Sequence, residues 1–495
     1  MHMQGPKRMA NKPNILLIMS DQHRGDSLGC AGHPCVRTPN LDRLAAEGTY
    51  FRNAFSPMPV CVPARYSVIT GCVPLAWGNR GNGGLIPRSV PTLPNILRQF
   101  GYRSALMGKA HYSGPLEECQ KLGIPRFRWK YGFDEILFAE EGRQYRHGDD
   151  YEAYLKKVGW HGWQRAHGIG NNDVRTSPSP LPKEHYQTVW ATDESIRWLR
   201  EHGRTQPFLL MTSYVKPHAP YDPPEPYDRM YDPRRVPKPF GGPEDLKNLS
   251  PAYEHGRKAY GWHTLPDEAH LRARAYYYGN ITLIDDEVGR LLATLDELGL
   301  ADNTIVAFVS DHGDLMGDHG LYFKGLFFRE SWHIPFLIKA PGKLAARGGV
   351  DRLASLQDLM PTLLSLIDVP IPEGVHGEDL TRDLEHGPET VFGSYEPAPR
   401  RLHAARTARW QYVFHEAGGY EELYDVQADP EERHNLASLV ETREVVCTLR
   451  GRTAEWLARL GDREALDASG DLKVSAAVDT SDPPMTKLPL GLRPY

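Results

Sequence analysis

Cysteine is scarce in this 495-residue chain: six residues, at 30, 35, 61, 72, 119 and 447. They form no Cys-x-x-Cys pair and no zinc-ribbon spacing, which argues against a disulfide framework and a structural zinc module. Cys30 and Cys35 are near enough in sequence to bridge, and at least one thiol is expected to be free at synthesis. Long apolar runs are missing too. The longest aliphatic stretch is "NILLIM", residues 14–19, far below the ~18 residues of a membrane span. The first twelve residues lack the apolar segment of a signal peptide. The chain as given therefore reads as cytoplasmic, or as periplasmic or secreted if a signal has been removed. A strong charge of one sign is also absent. The net charge of −5 gives no basic footprint, so neither nucleic acid nor a membrane is an expected partner. An anionic substrate would need a local positive site.

Apolar residues make up 40% of the chain, which suits a globular protein of one large and one smaller domain. Four apolar runs end in polar residues in the same way. "NILLIMSDQ" ends at Asp21 and Gln22, "RSALMGKAH" at Lys109 and His111, "FLLMTSYVKPH" at His218, and "TIVAFVSDHGD" at Asp311 and His312. Continuous runs of this length read as strands buried on both faces, as in a parallel sheet. Helical spacing appears between them, for example at Ile281, Ile284, Val288, Leu291, Leu292 and Leu295, with Gly299 as the stop. The fold class is therefore α/β, a large mixed, mostly parallel sheet sandwiched by helices. Ligands of such sheets bind at the carboxyl ends of the strands, where these polar residues collect.

After about residue 385 the pattern becomes shorter and alternating ("VFGSY", "LHAARTARWQYVFH", "EELYDV"). We read residues 1–385 as the larger domain, the one that carries the polar strand ends, and 386–495 as a smaller α+β subdomain with an antiparallel sheet. A helix over 438–460 is expected to pack through Leu439, Val446, Leu449, Trp456 and Leu460, and a Pro-rich tail follows. Segments 113–185 and 219–265 are aromatic and irregular, as binding loops often are. Tyr112, Tyr145, His147, Trp160, Trp163 and Tyr221 are pocket candidates there, with packing within their own loops as the plainer reading.

Asp21, Gln22, Asp311 and His312 bring two carboxylates, an amide oxygen and an imidazole together. Such a set suits Ca²⁺, Mg²⁺ or Mn²⁺. A single Asp after a strand is ordinarily just a helix cap; two acidic pairs at one sheet edge are not. Arg65, Lys109, His111, His218 and Lys324 would add cations around the same edge and could stabilise a transferred anionic group. Singly, each would be ordinary solvated surface. Cys61 stands at the start of a helix opened by Pro63. The helix end and Arg65 predict a lowered thiol pKa and a nucleophile, with His111 as its base. Yet a soft thiolate matches hard oxygen ligands poorly, so the finished nucleophile is expected to carry oxygen.

Cys61-Val62-Pro63-Ala64-Arg65, followed by Thr70-Gly71, resembles the signature of the type I sulfatases, in the alkaline phosphatase superfamily. "PNILLIMSDQ", "TPNLDRLAAEGTYF", "GKAH", "KPHAPY", "SDHGDLMGDHGLYFK" and "ELYDVQADPEERHNLA" are similar to family patterns in the same order. The resemblance implies that a formylglycine-generating enzyme oxidises Cys61 to formylglycine. It implies one divalent metal, Ca²⁺ first and Mn²⁺ second, held by Asp21, Gln22, Asp311, His312 and the modified Cys61. It implies that Arg65 holds the aldehyde hydrate beside Lys109 and His111, that His218 and Lys324 face the leaving group, and that Asn82 binds substrate. One hydroxyl of the hydrate would attack sulfur, and the other would expel sulfate with His111 as base.

The implied substrate is a sulfate ester of a saccharide or of another alkyl or aryl alcohol. Asp-Gln and Asp-His in place of Asp-Asp and Asp-Asn are similar to choline-sulfatase-like members and to the phosphonate monoester hydrolases. The latter lack a Lys-x-His such as Lys109–His111, which favours sulfate. Phosphonate or phosphodiester hydrolysis is the first alternative. A non-catalytic sulfated-glycan binder is the second, and the complete catalytic set argues against it. A homo-oligomer is compatible with the Pro-rich tail.

Overall fold

The computed structural model describes residues 12–140, 148–241, 249–396 and 401–477. Its main sheet has eight strands: β1 (Asn14–Asp21), β2 (Thr49–Phe55), β3 (Arg103–Gly108), β4 (Glu135–Phe138), β5 (Phe208–Pro217), β6 (Thr304–Ser310), β7 (Phe336–Lys339) and β8 (Gly348–Ser355). The order across the sheet is β4-β3-β5-β1-β6-β7-β2-β8. All pairings are parallel except those of β7, which runs antiparallel to both β6 and β2. The carboxyl ends of the other seven strands therefore share one edge.

Strands β1, β5 and β6 are buried along their whole length because each face is covered, and alternation assigns successive residues to opposite cores. Ile15, Leu17 and Met19 of β1 pack with Leu209, Met211, Ile305 and Val309 on one face. That face is closed by the Cys61–Thr70 and Leu359–Leu366 helices, through Val62, Tyr66, Ile69, Leu359 and Leu363. Leu16 and Ile18 pack with Leu210, Val306 and Phe308 on the other. The Gln187–His202 and Asp267–Glu297 helices cover it through Trp190, Trp198, Ile284, Val288 and Leu291. Among the described residues no helix is long and apolar enough to cross a membrane.

A second sheet contains β9 (Val391–Tyr395), β10 (Leu402–Arg406), β11 (Trp410–His415) and β12 (Tyr420–Asp425), antiparallel in the order β12-β11-β10-β9. Ala405, Tyr412, Phe414 and Leu423 meet the Arg443–Arg459 helix through Val446, Leu449 and Leu457. The opposite face, with Ala404, Val413 and Tyr424, packs on Leu315, Phe327 and Trp332 of the segment after β6. Leu439 departs from expectation. It precedes the helix and is 46% exposed, because the regular helix starts only at Arg443. All six cysteines are free thiols, so Cys30 and Cys35 do not bridge.

Candidate active site

Asp21 is the last residue of β1, and Asp311 follows β6 on the neighbouring strand. Lys109 follows β3, His218 follows β5, and Cys61 lies six residues past β2. Local chemistry fixes each approach. Gly108 has φ 115°, and a Cβ there would overlap the Ser213 carbonyl. Only glycine lets β3 pass β5 so closely, with the Lys109 amide donating to the Ser213 carbonyl at 2.8 Å. The Cys61–Thr70 helix ends at Gly71 in the left-handed region, its amide on the Ser67 carbonyl, which accounts for the Thr-Gly pair. At its start the Val62 amide donates to Asn82 Oδ1 at 3.1 Å. Asn82 thus satisfies an otherwise unpaired helix-terminal amide.

The ligand atoms of Asp21, Cys61, Asp311 and His312 lie within 4.8 Å of one another, and all four residues are buried. His312 Nδ1 faces the Gly313 carbonyl at 2.9 Å, which assigns the proton to Nδ1 and turns the Nε2 lone pair toward Cys61 Sγ, 3.2 Å away. Burial, with Lys324 adding to it, holds this imidazole well below its usual pKa and so neutral. The Gln22 amide is oriented by Asp314, which accepts from Nε2 at 2.5 Å. Gln22 Oε1 is thereby presented to Lys324 Nζ at 2.6 Å.

The cations bind this acidic pair directly. Arg65, wholly buried, donates from Nη2 to Asp21 Oδ2 and from Nε to Asp311 Oδ2, each at 3.0 Å. Its Nη1 reaches the Lys109 carbonyl and Ser213 Oγ, each at 2.9 Å. Lys109 Nζ meets Asp21 Oδ2 at 2.5 Å. Burial pushes the Asp21 pKa upward, but Lys109, His218, Arg65 and Lys324 outweigh it and hold the carboxyl well below the usual range. Asp311 moves the other way, to about 7, because burial and the Asp21 charge exceed the pull of Arg65. His218 Nδ1 donates to the Ala219 carbonyl at 2.6 Å, and its Nε2 accepts from Lys324 Nζ at 2.6 Å.

The expected lowering of the Cys61 pKa is wrong. Burial and the neighbouring Asp21 carboxylate push the thiol up, and Lys109 and Lys324 do not compensate. Arg65 is spent on the two carboxylates rather than on sulfur. A thiol held protonated in this way is a poor nucleophile.

Three residues of the assembly escaped the sequence reading. Ser213 lies inside β5, and Asp314 is the second acid of "SDHGD". Glu140 follows β4, whose carboxyl end is on the same edge. Glu140 Oε1 accepts from the amides of Ala110 and His111 at 3.1 and 2.8 Å. It thereby braces the turn that carries Lys109 and holds His111 at φ 53°. The signal was an acid after a strand end, hidden because β4 has only four residues. Of the six aromatic pocket candidates, Tyr112 packs among Tyr66 and Tyr131, Trp160 against Trp163, and Tyr221 donates to Asp314 at 2.6 Å. Tyr145 and His147 lie outside the described residues. A cavity of about 320 Å³ opens beside Lys324 and is lined instead by Asn82, Asn172, Tyr260, Trp262 and Tyr395.

Glu140→Ala leaves two amides unsatisfied, at roughly 1–3 kcal/mol each, and is expected to lower kcat/KM about 10- to 100-fold. Glu140→Gln keeps the acceptor oxygen and should stay within about threefold. Burial raises the Glu140 pKa from 4.5 to about 7. The folded state therefore binds this proton more tightly than the unfolded chain does. That contribution is complete below the unfolded pKa and is lost as pH rises through about 7. In thermal melts the Gln variant should gain on the wild type as pH rises from ~5 to ~8. A constant difference would contradict the assignment.

An open sheet whose edge gathers two acids, two imidazoles and three cations around residue 61 is built to bind an anionic group and move it to a nucleophile. The sulfatase family matches residues 13–369, and the C-terminal part of N-sulphoglucosamine sulphohydrolase matches residues 317–458. An arylsulfatase of Clostridium perfringens is 34% identical over 455 residues, covering 89% of this chain and 93% of that protein. A choline-sulfatase of Rhizobium meliloti is 30% identical, covering 92% and 88%. Among solved structures, the phosphonate monoester hydrolase of Agrobacterium radiobacter superposes with a TM-score of 0.79 at 26% identity, covering 94% of this chain and 100% of that one. The chain belongs to the sulfatase family and is a sulfuric ester hydrolase.

Proposed function

We propose that this hydrolase cleaves the sulfate ester of a saccharide or of another alkyl or aryl alcohol, with an oxygen nucleophile carried by residue 61 as formylglycine. The observation that supports it most is the mismatch at Cys61, a protonated, buried thiol among oxygen ligands. Oxidation by a formylglycine-generating enzyme before folding removes that mismatch. Asp21, Gln22, Asp311 and His312 offer three hard oxygens and one neutral nitrogen, a set that fits a divalent cation, Ca²⁺ first and Mn²⁺ second. Such a cation supplies Lewis acidity toward an oxygen nucleophile and neutralises charge on the transferred group.

The chain's own residues do the rest. Arg65 fixes the two carboxylates so that both face residue 61. Lys109 adds positive charge beside Asp21, where an anionic sulfuryl group needs it. Lys324 Nζ, 2.6 Å from His218 Nε2, is placed to pass a proton to the departing alcohol oxygen. His111, braced by Glu140, is the base for the second step. Asn82 anchors the helix start and borders the cavity where the alcohol would lie.

Phosphonate monoester hydrolysis is the second reading, because a phosphonate monoester hydrolase superposes so well. Turnover of an aryl sulfate and an aryl phosphonate by one preparation separates the two. The sulfate is expected to give the higher kcat/KM. A phosphonate preference of orders of magnitude would overturn the main reading.

A further inference from the structure

We propose that Tyr260 and Trp262 form the platform that selects the leaving alcohol, and that this alcohol is an uncharged single ring. The inference rests on the reading of Lys324 and His218 as the leaving-group side. Trp262 and Tyr260 stack with centroids 4.8 Å apart and planes 10° from parallel. Both line the cavity of about 320 Å³ that Lys324 also lines. Trp262 additionally packs on Phe323, the residue before Lys324, at 5.8 Å, so the aromatic wall is continuous with the proton donor. Tyr395, from the end of β9, lines the same cavity.

Size, charge and polarity each narrow the occupant. About 320 Å³ is at the small end of small-molecule sites, enough for one substituted ring rather than an oligosaccharide. Among the described residues lining the cavity there is one cation, Lys324, and no carboxylate. Among those described residues a second sulfate or a uronate on the leaving group finds no further cation. A quaternary ammonium is drawn to the same aromatic faces, but among the described lining residues it finds no carboxylate and meets the Lys324 charge. Flat aromatic faces suit a phenyl ring or the apolar face of a pyranose. The amides of Asn82 and Asn172 offer hydrogen bonds to ring hydroxyls.

The test uses converted full-length enzyme with four substrates: an aryl sulfate, a neutral monosaccharide sulfate, a disulfated monosaccharide and choline sulfate. The first two are expected to have kcat/KM values at least about tenfold above the last two. Trp262→Ala should raise KM for the two neutral ring substrates about 10- to 50-fold with kcat changed less than about threefold. Trp262→Phe should restore most of it. Tyr260→Ala should reproduce the KM effect at smaller size without disturbing the Phe323 contact. A kcat loss shared by every substrate would mean that Trp262 only props Lys324, and would overturn the platform. A preference for choline sulfate or the disulfated sugar would overturn the neutral-ring assignment while leaving sulfate hydrolysis intact. Phosphonate turnover with no sulfate turnover would overturn the underlying reading instead.

Discussion

Cys61→Ala is expected to lower sulfate ester turnover by at least about 10⁴-fold, the scale of nucleophile loss in other covalent hydrolases. Wild-type chain carrying an unconverted thiol should be similarly poor, because burial and Asp21 keep that sulfur protonated. Cys61→Ser separates the two halves of the reaction. A serine oxygen in this position retains a hydroxyl for the first displacement but has none left to expel sulfate. It should release about one equivalent of alcohol per enzyme and then stall, a burst without steady turnover. Steady hydrolysis by the Ala variant within about 100-fold of wild type would remove residue 61 from the mechanism.

Arg65→Ala should be the most damaging single change to the fold of the site. The guanidinium is completely buried and makes charge-assisted bonds to Asp21 and Asp311 at 3.0 Å. Its removal takes away the one group that bonds to both carboxylates and leaves Lys109 as the nearest cation on Asp21. Breaking a buried ion pair from one side costs about 3–5 kcal/mol. The expected result is a clear fall in the unfolding midpoint together with loss of activity. Arg65→Lys keeps the charge, but one ammonium cannot span both carboxylates and reach the Lys109 carbonyl and Ser213. It should recover part of the stability and little of the turnover. An unchanged midpoint for the Ala variant, read in thermal or urea unfolding, would contradict the bridging role.

The site was legible wherever a long apolar run announced its own strand. β1, β3, β5 and β6 are such runs, and the polar residues that end them meet at one edge. β2, β4, β7 and β8 were not foreseen. β4 and β7 have four residues each, and β2 carries Arg52 and Asn53 in its middle, where its neighbours leave them partly uncovered. Glu140 was lost with β4. The Cys61 pKa was misjudged for a different reason. Helix terminus and Arg65 are local and visible in sequence, whereas burial and the Asp21 contact are made by the fold. The aromatic residues of the cavity come from Tyr253 and the 260–262 turn, from Tyr322 and Phe323, and from β9, segments far apart in sequence. Nothing in these segments marks Trp262 above Trp160 or Trp163 until the chain is folded.

The most direct test is the mass of the tryptic peptide 53–65, "NAFSPMPVCVPAR", from protein purified from its native source and turning over a sulfate ester. Residue 61 is expected as the aldehyde, in a fraction that tracks specific activity between preparations. A fully active preparation in which every copy of that peptide retains the thiol would contradict the account.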